Sequence, residues 1–138
     1  NLYGCNFRAL QAIAECELGV NLTCEQIMDL WKKGKREGSI VRNGFVNQNL
    51  SIINDVFKLA HSSKEATYIN DFKTPGQAIS KGASYLRLCW ETTNSPEFYH
   101  FSIADRKGEF FDPFCPKEAK YSLFKLNLID IRGFKIEG

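Results

Sequence analysis

The chain has 138 residues, 43% hydrophobic, 13% aromatic and 25% charged, which excludes a disordered or fibrous protein and supplies one core over residues 1–138 without metal or disulfide staples. Eighteen basic against sixteen acidic residues leave +2, too small a surplus for the many phosphate contacts that drive nucleic-acid affinity, so nucleic acid is not an expected partner. No apolar run approaches the ~20 residues needed to span a bilayer, and Asn1-Leu2-Tyr3-Gly4-Cys5 has neither the basic nor the apolar region of a signal peptide, so membrane insertion is not expected either.

Periodicity in the first half is helical. Phe7, Leu10 and Ala14, with Ala9, Ile13 and Cys16, recur at 3.6-residue spacing and predict a first helix from Cys5 to Leu18, ending near Gly19. Thr23 followed three residues later by Gln26 is a capping-box pattern; it starts a second helix from Cys24 to about Lys33, before the tract Gly34-Lys35-Arg36-Glu37-Gly38. Ile52, Ile53, Val56 and Leu59 form the inward stripe of a third helix over Asn49–Leu59. Thr74-Pro75, a cap followed by proline at the first helical position, opens a short fourth helix that ends at Gly82.

Beyond Gly82 the period changes to that of strands. Ala83–Trp90, Phe98–Asp105 and Glu109–Asp112 are β-rich, with Asp105-Arg106-Lys107-Gly108 as a hairpin turn. Tyr121–Ile131 and Phe134–Ile136 predict two closing strands, and Ala66–Ile69 a short further one. Helices segregated ahead of strands predict an α+β fold, a helical lobe packed on an antiparallel sheet.

Chemistry is sought among the cysteines and histidines. Cys5, Cys16, Cys24, Cys89 and Cys115 are odd in number and lack CxxC spacing, and only His61 and His100 accompany them, so no zinc site, no cofactor and no disulfide framework is expected. Reduced cysteines favour a cytoplasmic protein. The chain also begins without Met, as a processed or trimmed product does.

A thiol at the first turn of a helix is favoured as the thiolate by unpaired N–H groups and the helix dipole. Cys5 occupies such a place after Gly4; Cys24 does too, but behind an ordinary Thr cap. A nucleophile needs a base, and the base an orienting acceptor. His100 begins the run His100-Phe101-Ser102-Ile103-Ala104-Asp105, and Asp112 ends Phe110-Phe111-Asp112-Pro113; the intervening hairpin directs both to its open end. Cys16 and Cys89 read as core, and Cys115 as a loop thiol near that end. His61 reads as a helix-terminal residue, Lys32, Lys33, Lys35 and Arg36 as a solvated helix end, and Phe110, Phe111 and Phe114 as a core wall.

Taken in order, Gly4-Cys5 at a helix start, the second helix after Thr23-Cys24-Glu25-Gln26, Tyr99-His100-Phe101-Ser102-Ile103 and Phe111-Asp112-Pro113 resemble the papain-like cysteine peptidases, most nearly the compact branch of bacterial bacteriocin-leader peptidases. The resemblance implies a papain-like fold and a thiol hydrolase acting on a peptide or amide bond of a peptide or protein substrate, with Cys5 as nucleophile, His100 as general base and Asp112 as orienting residue. The same apparatus serves glutamine deamidation or acyl transfer. Two departures stand out: none of Asn1–Gly4 is the Gln that would donate into an oxyanion hole, so that residue either lies upstream of Asn1 or is absent, and Asn6 follows Cys5 where the branch has a small residue. They keep open a second class, a binding module that retains the fold without its catalysis.

Overall fold

The computed structural model describes residues 5–41, 46–92, 99–111 and 126–138. Its elements are α1 (Cys5–Leu18), α2 (Cys24–Glu37), α3 (Asn49–Leu59), β1 (Glu65–Ile69), α4 (Pro75–Ser80), β2 (Tyr85–Thr92), β3 (Tyr99–Asp105), β4 (Gly108–Phe111) and β5 (Leu126–Glu137). The strands form one antiparallel sheet in the order β1-β5-β2-β3-β4. The fold is α+β, as the sequence predicts.

Register assigns regularly paired strand residues to a face, because paired residues share a side and neighbours along a strand alternate. One face carries Ala66, Tyr85, Ile103 and Phe134, and α1 covers it with Phe7, Leu10 and Ile13, backed by Ile53, Val56 and Phe57 of α3. The other face carries Leu86, Leu88 and Ala104 and meets Ala78 of α4. Of the first ten residues of α1 all but Arg8 are buried, even Asn6 and Gln11. Gln11 is satisfied along the helix, accepting from Arg8 Nη1 at 2.7 Å and donating to Glu15 Oε1 at 2.8 Å.

Local chemistry explains the element ends. Thr23 Oγ1 accepts from the Gln26 backbone N–H at 3.1 Å while Gln26 Oε1 accepts from the Thr23 N–H at 2.9 Å, completing the expected capping box. Helix α2 runs four residues past the expected Lys33. Gly34 does not stop it: a Cβ there would lie 2.7 Å from Ile40 Cδ1, so the missing side chain makes room for a core residue, and the helix ends instead at Gly38 with φ 83°. Helix α4 stops at Ser80, two residues short of the expected Gly82.

The two expected closing strands are one. Leu126–Glu137 runs unbroken because its C-terminal part pairs with β1 while its preceding part pairs with β2, and the step from Cys89↔Asp130 to Trp90↔Leu128 leaves Ile129 as a bulge. The β3–β4 turn matches expectation, with Asp105 Oδ1 accepting from the N–H groups of Lys107 and Gly108 at 2.7 and 3.2 Å. Among the described residues no helix is long and apolar enough to cross a membrane.

Candidate functional site

Helix α1 begins at Cys5, and the residue after it organises the region. The Asn6 amide donates to Asn49 Oδ1 at 3.3 Å, and the Asn49 amide donates to the Tyr68 hydroxyl at 3.5 Å, tying the starts of α1 and α3 to β1. Asn6 Oδ1 accepts from Arg87 Nη1 at 3.2 Å, and Arg87 Nη2 donates to Asp130 Oδ2 at 2.6 Å. Arg132 Nε reaches the same carboxylate oxygen at 3.3 Å. A polar chain thus runs from α1 through β2 to β5.

Its centre is a buried cation. The Arg87 side chain is 5% exposed and stands 5.0 Å over the Phe101 ring, and its Nε has no hydrogen-bond partner among the described residues. Burial pulls the guanidinium below its ordinary pKa, and the Asp130 carboxylate opposes that pull. Sequence reading passed over this residue, although a charged side chain inside the apolar run Leu86-Arg87-Leu88-Cys89-Trp90 was the available signal.

Asp130 and Arg132 open onto a cleft of about 540 Å³, whose other walls are Asn47 and Asn49 on one side and the turn Asn70–Phe72 on the other. Asp71 makes that turn at φ 60°, in the left-handed region that Asp tolerates better than most residues, and the ammonium of Lys81 holds the carbonyls of Asn70 and Asp71.

The predicted site residues fall as follows. Cys5 opens α1 and is buried at 4% exposure. His100 lies in β3 at 6% exposure, paired with Trp90, and shares a face with Ser102, whose hydroxyl accepts from Trp90 Nε1 at 3.0 Å. That is the α4 face, whereas α1 covers the opposite one. Asp112 and Cys115, with Phe114, lie outside the described residues. Cys24 is exposed at the start of α2. Cys16, expected in the core, is exposed because it falls beside the stripe set by Leu10, Ile13 and Ala14, near the open end of the helix. His61 follows α3 at φ 56°, its N–H bonded to the Lys58 carbonyl at 3.0 Å, a helix-terminal residue as expected.

Cys89, expected and found buried, has its thiol pushed up to about 11 by burial, with Arg87 pulling the other way. The unfolded thiol ionises near 9.0, so the native state keeps a proton that the unfolded state loses. Stability from this group is full below pH 9 and declines towards pH 11; burial raises the Tyr85 hydroxyl in the same sense. Urea midpoints measured from pH 8 to 11 are expected to fall, with a shallower fall in Cys89→Ala.

Comparison of the chain with family models, with curated proteins and with solved structures gives no match in any of the three.

Proposed function

We propose that this domain works by binding rather than by covalent catalysis. The supporting observation is the β2–β3 register. A cysteine hydrolase needs an imidazole within about 2.6–3.2 Å of the sulfur, or somewhat beyond in an empty site. His100 belongs to the face shared with Trp90 and Ser102, while the helix that Cys5 begins packs on the other side of the same strands. Around Cys5 the side chains are engaged in holding elements together through Asn6, Asn49 and Arg87.

A second reading is favoured by the place of Cys5 at the first turn of α1, which carries no acidic residue to oppose a thiolate. In it the α+β domain is papain-like and a cysteine-dependent hydrolase. Cys5 attacks a peptide or amide carbonyl, His100 passes the proton to the leaving amine, Asp112 orients the ring, and water resolves the thioester. Deamidation uses the same steps on a side-chain amide, and acyl transfer differs in the last, where an acceptor amine or hydroxyl takes the acyl group from the thioester in place of water.

Brief iodoacetamide treatment at neutral pH followed by peptide mapping separates the two. Exposed Cys16 and Cys24 are expected to be modified well before buried Cys5 and Cys89. Modification of Cys5 ahead of all others would overturn the binding reading in favour of the hydrolase.

A further inference from the structure

The buried network and the cleft belong together. Asn49, Tyr68, Asp130 and Arg132 are members of the polar chain and also walls of the cleft of about 540 Å³, so a chain of contacts that crosses Asn6 and Arg87 ends at an open surface. Register puts these groups on one side of the sheet: Asp130, Arg132 and Phe134 are two apart along β5, and Tyr68 pairs with Phe134. It is the side that α1 and α3 cover, with Asn49 at the start of α3.

A buried guanidinium commonly leaves a fold no more stable than an apolar side chain of its size would. This one holds the polar groups of the cleft in place. Asp130 Oδ2 is bound by Arg87 at 2.6 Å and by Arg132 at 3.3 Å, and the Asn49 side chain is fixed between the Asn6 amide and the Tyr68 hydroxyl at 3.3 and 3.5 Å. Groups held in position before a ligand arrives lose less freedom when it binds.

The walls specify the ligand's chemistry. Asn47, Asn49 and Asn70 both donate and accept, Asp71 and Asp130 accept, and Arg132 donates. Their charges cancel, since the two carboxylates stand against Arg132 and the buried Arg87, while the Lys81 ammonium is taken up by the carbonyls of Asn70 and Asp71. Among the described residues no group of His, Cys, Asp and Glu is placed to hold a metal ion. A phosphate would meet two carboxylates, and an apolar ligand would leave amides stripped of water and unsatisfied. A hydroxyl donates and accepts at one atom, and neighbouring hydroxyls of a sugar ring match the paired polar atoms of an amide, a carboxylate or a guanidinium. The Tyr68 ring, 38% exposed and backed by Phe134 at 5.5 Å, adds an apolar surface for the C–H face of such a ring. The volume lies within the ~300–1,000 Å³ of small-molecule sites and suits one or two sugar rings. We infer that the cleft binds a neutral saccharide. This assignment rests on the binding reading and names its ligand class.

The test titrates maltose, cellobiose, lactose, mannobiose and N,N′-diacetylchitobiose into the ¹⁵N-labelled full chain, each to about 20 mM, well above the roughly millimolar Kd that a few hydrogen bonds and one ring contact support. Expected for at least one sugar are amide shifts concentrated in residues 47–49, 68–72 and 130–132, and a loss of affinity of about tenfold in Arg132→Met and in Asn70→Trp. The first removes a donor and the second fills the cleft from an exposed position, whereas Glu25→Trp on α2 is expected to bind as the parent does. Maltohexaose and cellohexaose distinguish the source: an affinity about tenfold above that of the disaccharide assigns the site to a longer glycan, and an equal one to a small sugar. The assignment is overturned if no sugar shifts an amide, if the shifts fall elsewhere, if both substitutions leave affinity unchanged, or if inorganic phosphate binds the cleft more tightly than any sugar. Shifts on the unsubstituted protein decide the matter even if a variant fails to fold. The labelling order of Cys5 is measured separately. Sugar bound in the cleft with Cys5 modified first would retain the cleft and discard the binding-only reading; no bound sugar with Cys5 protected would do the reverse.

Discussion

Phe134→Ala is expected to destabilise the domain by about 3–5 kcal/mol, lowering the melting temperature by roughly 10–15 °C. Phe134 is fully buried on β5, between Tyr68 of β1 and Tyr85 of β2 in the pairing, and its ring lies 5.5 Å from that of Tyr68. It joins the sheet to the core that α1 and α3 cover, so truncation removes apolar contact where helices and strands meet and leaves a void that close-packed neighbours fill only in part. Thermal unfolding followed by circular dichroism checks the size. A loss below about 1 kcal/mol would mean that β5 does not hold its central place, since surface changes commonly stay within ±0.5 kcal/mol.

Asp130→Ala is expected to cost about 1–3 kcal/mol through Arg87 rather than through any apolar contact. Removing one partner of a fully buried pair costs roughly 3–5 kcal/mol because the surviving charge remains in a poor medium for it. The expected loss is smaller here because Asp130 is 41% exposed and water reaches the site. Arg87→Met keeps the length and the contact with Phe101 while removing the charge and the orphaned Nε, and is expected to be within about 1 kcal/mol of the parent. The double variant Arg87→Met/Asp130→Ala should then be nearly as stable as Arg87→Met alone. Urea unfolding of the four proteins measures the coupling, and additive losses would show that the two side chains do not act as a pair.

Most of the element plan was legible because short-range chemistry determines it. The apolar spacing of Phe7, Leu10 and Ala14 and of Ile52, Ile53 and Val56 placed α1 and α3 with their observed ends, and the Thr23–Gln26 and Thr74–Pro75 caps placed the starts of α2 and α4. What went astray depends on tertiary contact. Gly34 reads as a helix stop until Ile40 is seen to need its missing side chain, and Arg132-Gly133 reads as a break until β1 and β2 are found on opposite sides of β5. The site was less legible still. Periodicity puts His100 on one face with Ser102, but only the partner register adds Trp90 and shows that this is the face of Leu86 and Leu88. The network through Asn6, Asn49, Arg87 and Asp130 links residues 43 and 81 positions apart, a separation over which no local pattern carries information.

Nuclear Overhauser contacts of the His100 ring test the binding reading most directly. With β2 and β3 in the register Trp90↔His100 and Leu88↔Ser102, the ring protons are expected to show contacts to the side chains of Trp90 and Ser102 and none to the β-protons of Cys5 or the ring of Phe7. A contact between the His100 ring and the Cys5 β-protons would bring nucleophile and base together on one face, contradict the binding reading and restore the hydrolase.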